Sequence, residues 1–423
     1  MSGPRSYGRG AAVLSVGIGV TGLVTYTYFS LASHSLADDE YGHISLLWSA
    51  VFVVVSVIYR PVEQLLSRTI AERPAQRHVL RVAATIQASL ALVFAVAALA
   101  LRGPIEDGLF GGSETLYWIF VATVIVYAAS YFARGFLAGH HRFGAYGLLV
   151  LLEASSRCLF AVAVAVGISE GQDAVALGMV AAPIASLTVV PFVLTRSTFS
   201  VDMTEKVPLG EGEPEFTLAR GTGFAAAVLL VMLSEQTFLN AGPLIVKATE
   251  SGAAGAALAG FTFNVLLIAR APLQLFQSVQ TSILPHLTQM HAAANADEFR
   301  RTVRVTLTAI GAFAATVALV LLAIGPWVMD LLFGSDVDYG RGGLALIAVG
   351  MGLYLAAATL NQAALARDQA KRAAICWVAS AAAFVVFLLI PGWDDRVVQL
   401  EVGYAAGAAL LCALLYWLYR RAE

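Results

Sequence analysis

Several ionisable residues sit inside apolar stretches of this chain, where a charged side chain costs at least about 2.5 kcal/mol and faces protein or water. Arg270, Gln274, Gln277 and Thr281 recur at spacings of four, three and four, which aligns them on one helix face. A guanidinium beside carboxamides suits anions and sugars: its fork grips phosphate bidentately, and the amides hydrogen-bond hydroxyls. The stripe is read as cavity-lining. Ser49, Ser56, Arg60, Gln64 and Ser67 share a similar face, and Glu63 lies beside them. Arg60 and Glu63 fall at the edge of their apolar stretch, where a snorkelling arginine in a salt bridge fits as well as ligand contact. Glu153 and Arg157 are four apart and stack on one helix face. They form an internal pair, or a pair lining a path that opens when an anionic ligand competes for Arg157. Glu235 precedes Asn240 and Pro243 deep in another apolar stretch and needs a partner or a proton. It counters Arg270, or it carries a coupling proton or sodium ion.

Nothing in the sequence builds a catalytic or metal site. Cys158, Cys376 and Cys412 are single and embedded in apolar runs, as small buried hydrophobes are. His140 and His141 share a short turn with Arg142 and no further ligand, which reads as a basic anchor. Arg134, at the end of an apolar stretch, reads the same way. No phosphate-binding loop occurs. The expectation is a protein that is not an enzyme and holds no cofactor.

The elements that carry these residues are membrane helices. Of 423 residues, 59% are hydrophobic and only 13% charged, with a net charge of −2. Soluble domains average about 25% charged, and the mean hydropathy is +0.76. This composition excludes a soluble enzyme, a nucleic-acid binder and a disordered chain. A bilayer core needs about 20 apolar residues per helix. Twelve stretches qualify, near 11–33, 43–59, 79–101, 115–137, 146–168, 174–195, 219–241, 253–278, 303–325, 342–365, 373–390 and 399–419. The first reads as a retained helix, not a removable signal peptide. With twelve spans, 20 of the 26 basic residues fall on the side shared by both termini, so the positive-inside rule makes both termini cytoplasmic.

The chain divides at its middle. Residues 196–218 are polar, with clustered acids, glycines and prolines, and read as a cytoplasmic linker. It separates a six-helix lobe at 1–195 from another at 219–423. Arg60-Pro61 followed by Gln64 is echoed by Arg270-Ala271-Pro272 followed by Gln274. An echo of this kind suggests parallel repeats with a substrate site between halves near mid-membrane. The expected fold class is an all-α polytopic membrane protein of twelve helices in two lobes.

Three segments carry a family resemblance: Leu36-Ala37-Asp38-Asp39-Glu40-Tyr41-Gly42, Arg60-Pro61-Val62-Glu63-Gln64-Leu65, and Arg270-Ala271-Pro272-Leu273-Gln274-Leu275-Phe276-Gln277. In order and over a six-plus-six layout, the chain resembles the multidrug, oligosaccharidyl-lipid and polysaccharide exporter superfamily, in its polysaccharide or O-antigen flippase branch. The resemblance implies alternating access by two lobes in a bacterial cytoplasmic membrane. Its cargo would be a lipid-linked oligosaccharide on undecaprenyl diphosphate, and its partners the bilayer and a polysaccharide polymerase or other glycan-assembly proteins. Arg270, Gln274, Gln277, Arg60, Gln64 and Arg157 would then meet the headgroup. Family members place an arginine on the first span too, where this chain has Thr21, Thr25 and Tyr28. The alternatives are a cation-coupled multidrug exporter of the same superfamily with Glu235 as its ion site, and a membrane enzyme acting on polyprenyl-linked sugars.

Overall fold

The structure, a computed structural model, describes residues 4–72, 77–191, 218–268, 270, 296–334, 339–367 and 369–421. Among them every regular element is a helix and no strand occurs. The first eight are α1 (Pro4–Ser35), α2 (Asp38–Ile58), α3 (Arg60–Glu72), α4 (Arg77–Ala100), α5 (Arg102–Phe110), α6 (Glu114–Gly139), α7 (Phe143–Ala165) and α8 (Gly171–Leu187). There follow α9 (Leu218–Thr249), α10 (Gly252–Ile268), α11 (Ala296–Phe333), α12 (Arg341–Ala366), α13 (Ala370–Leu389) and α14 (Arg396–Arg421). Ten helical stretches among the described residues are long and apolar enough to cross a membrane, one of them running through α2 and α3. The chain is a multi-pass membrane protein. The two expected spans outside those ten are 11–33, within α1, and 253–278, whose described part is the shorter apolar α10.

The chain forms two compact units, Met1–Thr222 and Gly223–Glu423, divided in the first turns of α9. The expected linker at 196–218 lies outside the described residues up to Leu218.

In the first unit α6 is the central element, touching α2, α3, α4, α5, α7 and α8. Its apolar residues cover more than half its circumference, so Leu116, Val121, Tyr127 and Ala133 are buried on different faces. Its start is fixed by Ser113, whose hydroxyl accepts the Leu116 N–H at 3.3 Å. Before it, Gly111 and Gly112 turn the chain at φ of 60° and 84°, a region that side chains disfavour. Near its other end Gly135 and Gly139 let α3 approach closely. A Cβ at Gly135 would stand 2.9 Å from the Glu63 carbonyl oxygen, and one at Gly139 2.7 Å from the Ile70 Cβ. This contact brings Glu63 of α3 beside the polar residues of α6. Helix α2 gives way to α3 at Tyr59, because Pro61 has no N–H to continue the ladder. Beyond the break the helix is amphipathic, with Val62, Leu66 and Ile70 buried and Gln64 and Leu65 exposed.

In the second unit α12 packs on α11 and α14, and α13 packs on α14. Small residues again permit the contact: a Cβ at Gly350 would meet the Tyr404 ring at 2.8 Å. The core is an aromatic knot of Phe238, Tyr354, Trp377, Phe384 and Tyr404, with the Phe238 and Phe384 rings stacked at 5.3 Å. Helices α4 and α11 turn Leu92, Val93, Val96, Leu319, Leu322 and Leu331 outward. Such apolar faces on closed helices suit lipid.

Candidate functional site

The polar residues of the first unit gather where α3, α6, α7 and α8 meet. The Glu153 carboxylate on α7 is the hub. It accepts from the Ser130 hydroxyl and the Arg134 guanidinium of α6, and from the Ser186 hydroxyl of α8 at 3.3 Å. The Glu153 and Arg134 side chains are only 4% and 12% exposed, so the ion pair is removed from water. The expected partnership of Glu153 with Arg157 does not form. Arg134, read from sequence as an anchor at the membrane edge, is the partner instead. The reason is acceptor capacity: a buried carboxylate needs several donors, and α6 and α8 offer a guanidinium and two hydroxyls. An i,i+4 arginine alone would leave most of its lone pairs unmet.

Arg157 turns to the opposite side. Its guanidinium carbon lies 4.5 Å from the centre of the Trp48 ring and 5.8 Å from that of Phe52, both on α2. Its Nη2 donates to the Tyr127 hydroxyl at 3.1 Å. The residue is buried, and no carboxylate pairs with it among the described residues. At the kink, Glu63 accepts from the Tyr146 hydroxyl at 2.9 Å, and the charges of Arg134 and Arg60 both act on it. Arg60 is half-buried, whereas Gln64, expected beside it on a common polar face, is exposed.

The second unit holds a parallel arrangement. Arg270 donates from Nη2 to the Asn240 Oδ1 at 2.9 Å, and Asn240 donates in turn to the Gln236 Oε1 at 2.9 Å. The guanidinium also lies 5.4 Å from the Phe263 ring centre. The polar stripe continues into Gln274, Gln277 and Thr281, which lie outside the described residues. Glu235 is half-buried on α9, and it is Asn240, not Glu235, that holds Arg270. Among the described residues no cluster of three His, Cys, Asp or Glu is placed to hold a metal ion.

Sequence reasoning gave no part to Tyr127, Tyr146, Trp48 or a Gln236–Asn240 pair, and read Arg134 only as an anchor. Two of these had a signal. Ser130 and Arg134 stand four apart on α6, as Gln236 and Asn240 do on α9, and such spacing marks a polar face. The aromatic partners carried none, because they look like ordinary core residues.

The sequence matches no known family profile and no curated protein. Solved structures do match along nearly the whole chain. An inward-facing multidrug resistance MATE family transporter of the MOP superfamily covers 97% of this chain with 97% of its own, at 12% identity and a TM-score of 0.67. The fold is that of the MATE transporters. A mutant of the Vibrio cholerae MATE transporter VcmN aligns over 99% of this chain and 98% of its own, at 16% identity and a TM-score of 0.62. The multidrug transporter DinF-BH, solved with a bound compound, aligns over 99% and 95% at 13% identity and a TM-score of 0.66. The MATE fold therefore spans both units.

Proposed function

We propose that this chain is a secondary transporter, not an enzyme, that exports amphipathic organic solutes by alternating access of two six-helix lobes. Both termini are cytoplasmic, and the membrane is the bacterial cytoplasmic membrane. The observation that carries this reading is the end-to-end match to a solved multidrug resistance transporter, with 97% of each chain covered. The interior arginines support it. Arg157 is enclosed within the first unit, and Arg270 is hydrogen-bonded to Asn240 within the second. A guanidinium already held by protein groups is less available to grip a lipid diphosphate than one free in a cavity. Glu235, a half-buried acid in mid-helix, is the coupling site for a proton or sodium ion in this account.

The lipid-linked oligosaccharide reading rests on the resemblance of three short segments and on the stripe of Arg270, Gln274 and Gln277. Paired flux measurements in proteoliposomes separate the two. The cationic dye ethidium is tested in one arm, and an undecaprenyl-diphosphate oligosaccharide with leaflet-specific detection in the other. Dye movement above that of empty vesicles, without lipid flipping, is expected. Lipid flipping without dye movement would replace this reading with the flippase, and a covalently altered lipid would make the chain an enzyme.

A further inference from the structure

The surroundings of Arg157 are built from hydrogen-bond donors that lack an acceptor. Glu153, its neighbour one turn away on α7, is committed to Arg134, Ser130 and Ser186. Glu63 is held by Tyr146 and lies in the field of Arg134 and Arg60. The two carboxylates and the two arginines at that end of the unit thus answer one another, which leaves Arg157 as a surplus positive charge. The residue is 4% exposed, and its Nε–H meets no acceptor among the described residues. Its one polar contact, to the Tyr127 hydroxyl, uses the tyrosine oxygen as acceptor and leaves the tyrosine proton to be given elsewhere.

Three more buried hydroxyls share this condition. Tyr28 of α1, Ser49 of α2 and Thr123 of α6 are each 0% exposed and make no hydrogen bond among the described residues. For Ser49 and Thr123 this is unusual, because a helical serine or threonine ordinarily donates to the carbonyl four residues back. Ser45, one turn earlier on α2, does so to Tyr41 at 3.0 Å, and Thr21 and Thr25 of α1 do likewise. Ser49 and Thr123 are therefore turned away from their own backbones. Each lies on a helix that packs against α7 or against the rings around Arg157. Trp48, next to Ser49, carries the Arg157 guanidinium on its ring and packs against Tyr28, with ring centres 6.3 Å apart. Tyr28 lies close enough for the Arg157 charge to act on its phenol. Thr123 stands one turn from Tyr127 on the same face of α6.

We propose that Arg157, Tyr127, Tyr28, Ser49 and Thr123 form an enclosed binding site for a small monovalent anion of halide size inside the first unit. The surplus of one charge sets the valence, and the guanidinium excludes cations. The near-complete burial of Arg157 sets the size, because an organic carboxylate would need a wider opening to the surface. Four helices, α1, α2, α6 and α7, each supply at least one donor, so the anion would tie them together. The site is independent of what the chain transports, and its test requires no transport.

Purified protein is exchanged into sodium gluconate and titrated with radiolabelled chloride, alongside thermal unfolding in chloride and gluconate at equal ionic strength. Saturable binding of one anion per chain and a higher unfolding temperature in chloride are expected. Thr123→Val preserves shape and removes one donor. It should weaken chloride binding about tenfold, the scale of one hydrogen bond to a charged group. Arg157→Gln, where it folds, should abolish binding. Absence of saturable binding to the wild type would overturn the proposal. So would Thr123→Val protein that binds chloride as the wild type does.

Discussion

The choice of partner by Glu153 is open to a quantitative test. Arg134→Met would leave a carboxylate that is 4% exposed with only the Ser130 and Ser186 hydroxyls for company. Removing one member of a buried ion pair costs about 3–5 kcal/mol, most of it the penalty of the stranded charge. For a unit of about 200 residues that corresponds to a fall in unfolding temperature of about 6–20 °C. Glu153→Gln in the same chain removes the stranded charge, so the double variant should regain much of the loss. The coupling energy of the 134/153 cycle should be about 1.5 kcal/mol or more, within the range for residues in one network. The cycle pairing Arg157→Met with Glu153→Gln should give less than about 0.5 kcal/mol, because Arg157 lies on Trp48 and Tyr127. Unfolding by SDS titration in mixed micelles reads both cycles. A 157/153 coupling larger than the 134/153 coupling would refute the partner assignment and restore the i,i+4 pair.

Other perturbations follow from the same contacts. Gly139→Leu places side-chain atoms where a Cβ alone would be 2.7 Å from Ile70, and should cost about 1–3 kcal/mol by overpacking, read in the same titration. Phe238→Ala removes the ring shared by Tyr354, Trp377, Phe384 and Tyr404, and should destabilise the second unit by about 3–5 kcal/mol. Asn240→Leu takes one acceptor from Arg270 and should lower stability by about 1.5–3 kcal/mol, whereas Asn240→Asp should not show that loss. Glu235→Gln should leave the unfolding temperature within about 2 °C of wild type while abolishing gradient-driven transport, because Glu235 makes no ion pair among the described residues.

The helical architecture was legible because lipid imposes a simple rule: every crossing must be a long apolar helix, and ten of the twelve stretches read from the sequence overlap helices long and apolar enough to cross among the described residues. The polar residues were legible as outliers, and Glu153, Arg157, Glu63 and Arg270 do take part in buried contacts. Their partners were not legible. A helix wheel shows which residues share a face, but the pairing of Glu153 with Arg134 depends on how α6 and α7 are rotated against each other. Each of these helices is also held by close contacts to others, Gly135 of α6 against Glu63 of α3 and Gly178 of α8 against Arg157 of α7, which join residues distant in sequence. Gln64 shows the opposite error. It was grouped with Ser49 and Ser56, which are buried on α2, but it lies beyond the break at Tyr59 and is exposed while Val62 and Leu66 are buried. The cargo was legible least of all, since short motifs resembling a flippase branch sit on a fold that solved multidrug transporters share.

The central claim is that the chain exports an amphipathic organic solute at the expense of a cation gradient. The most direct test is ethidium uptake into inside-out proteoliposomes under an imposed proton or sodium gradient. The account predicts uptake above that of protein-free vesicles, lost when an ionophore collapses the gradient. Ethidium distribution identical to that in empty vesicles under both gradients would contradict it.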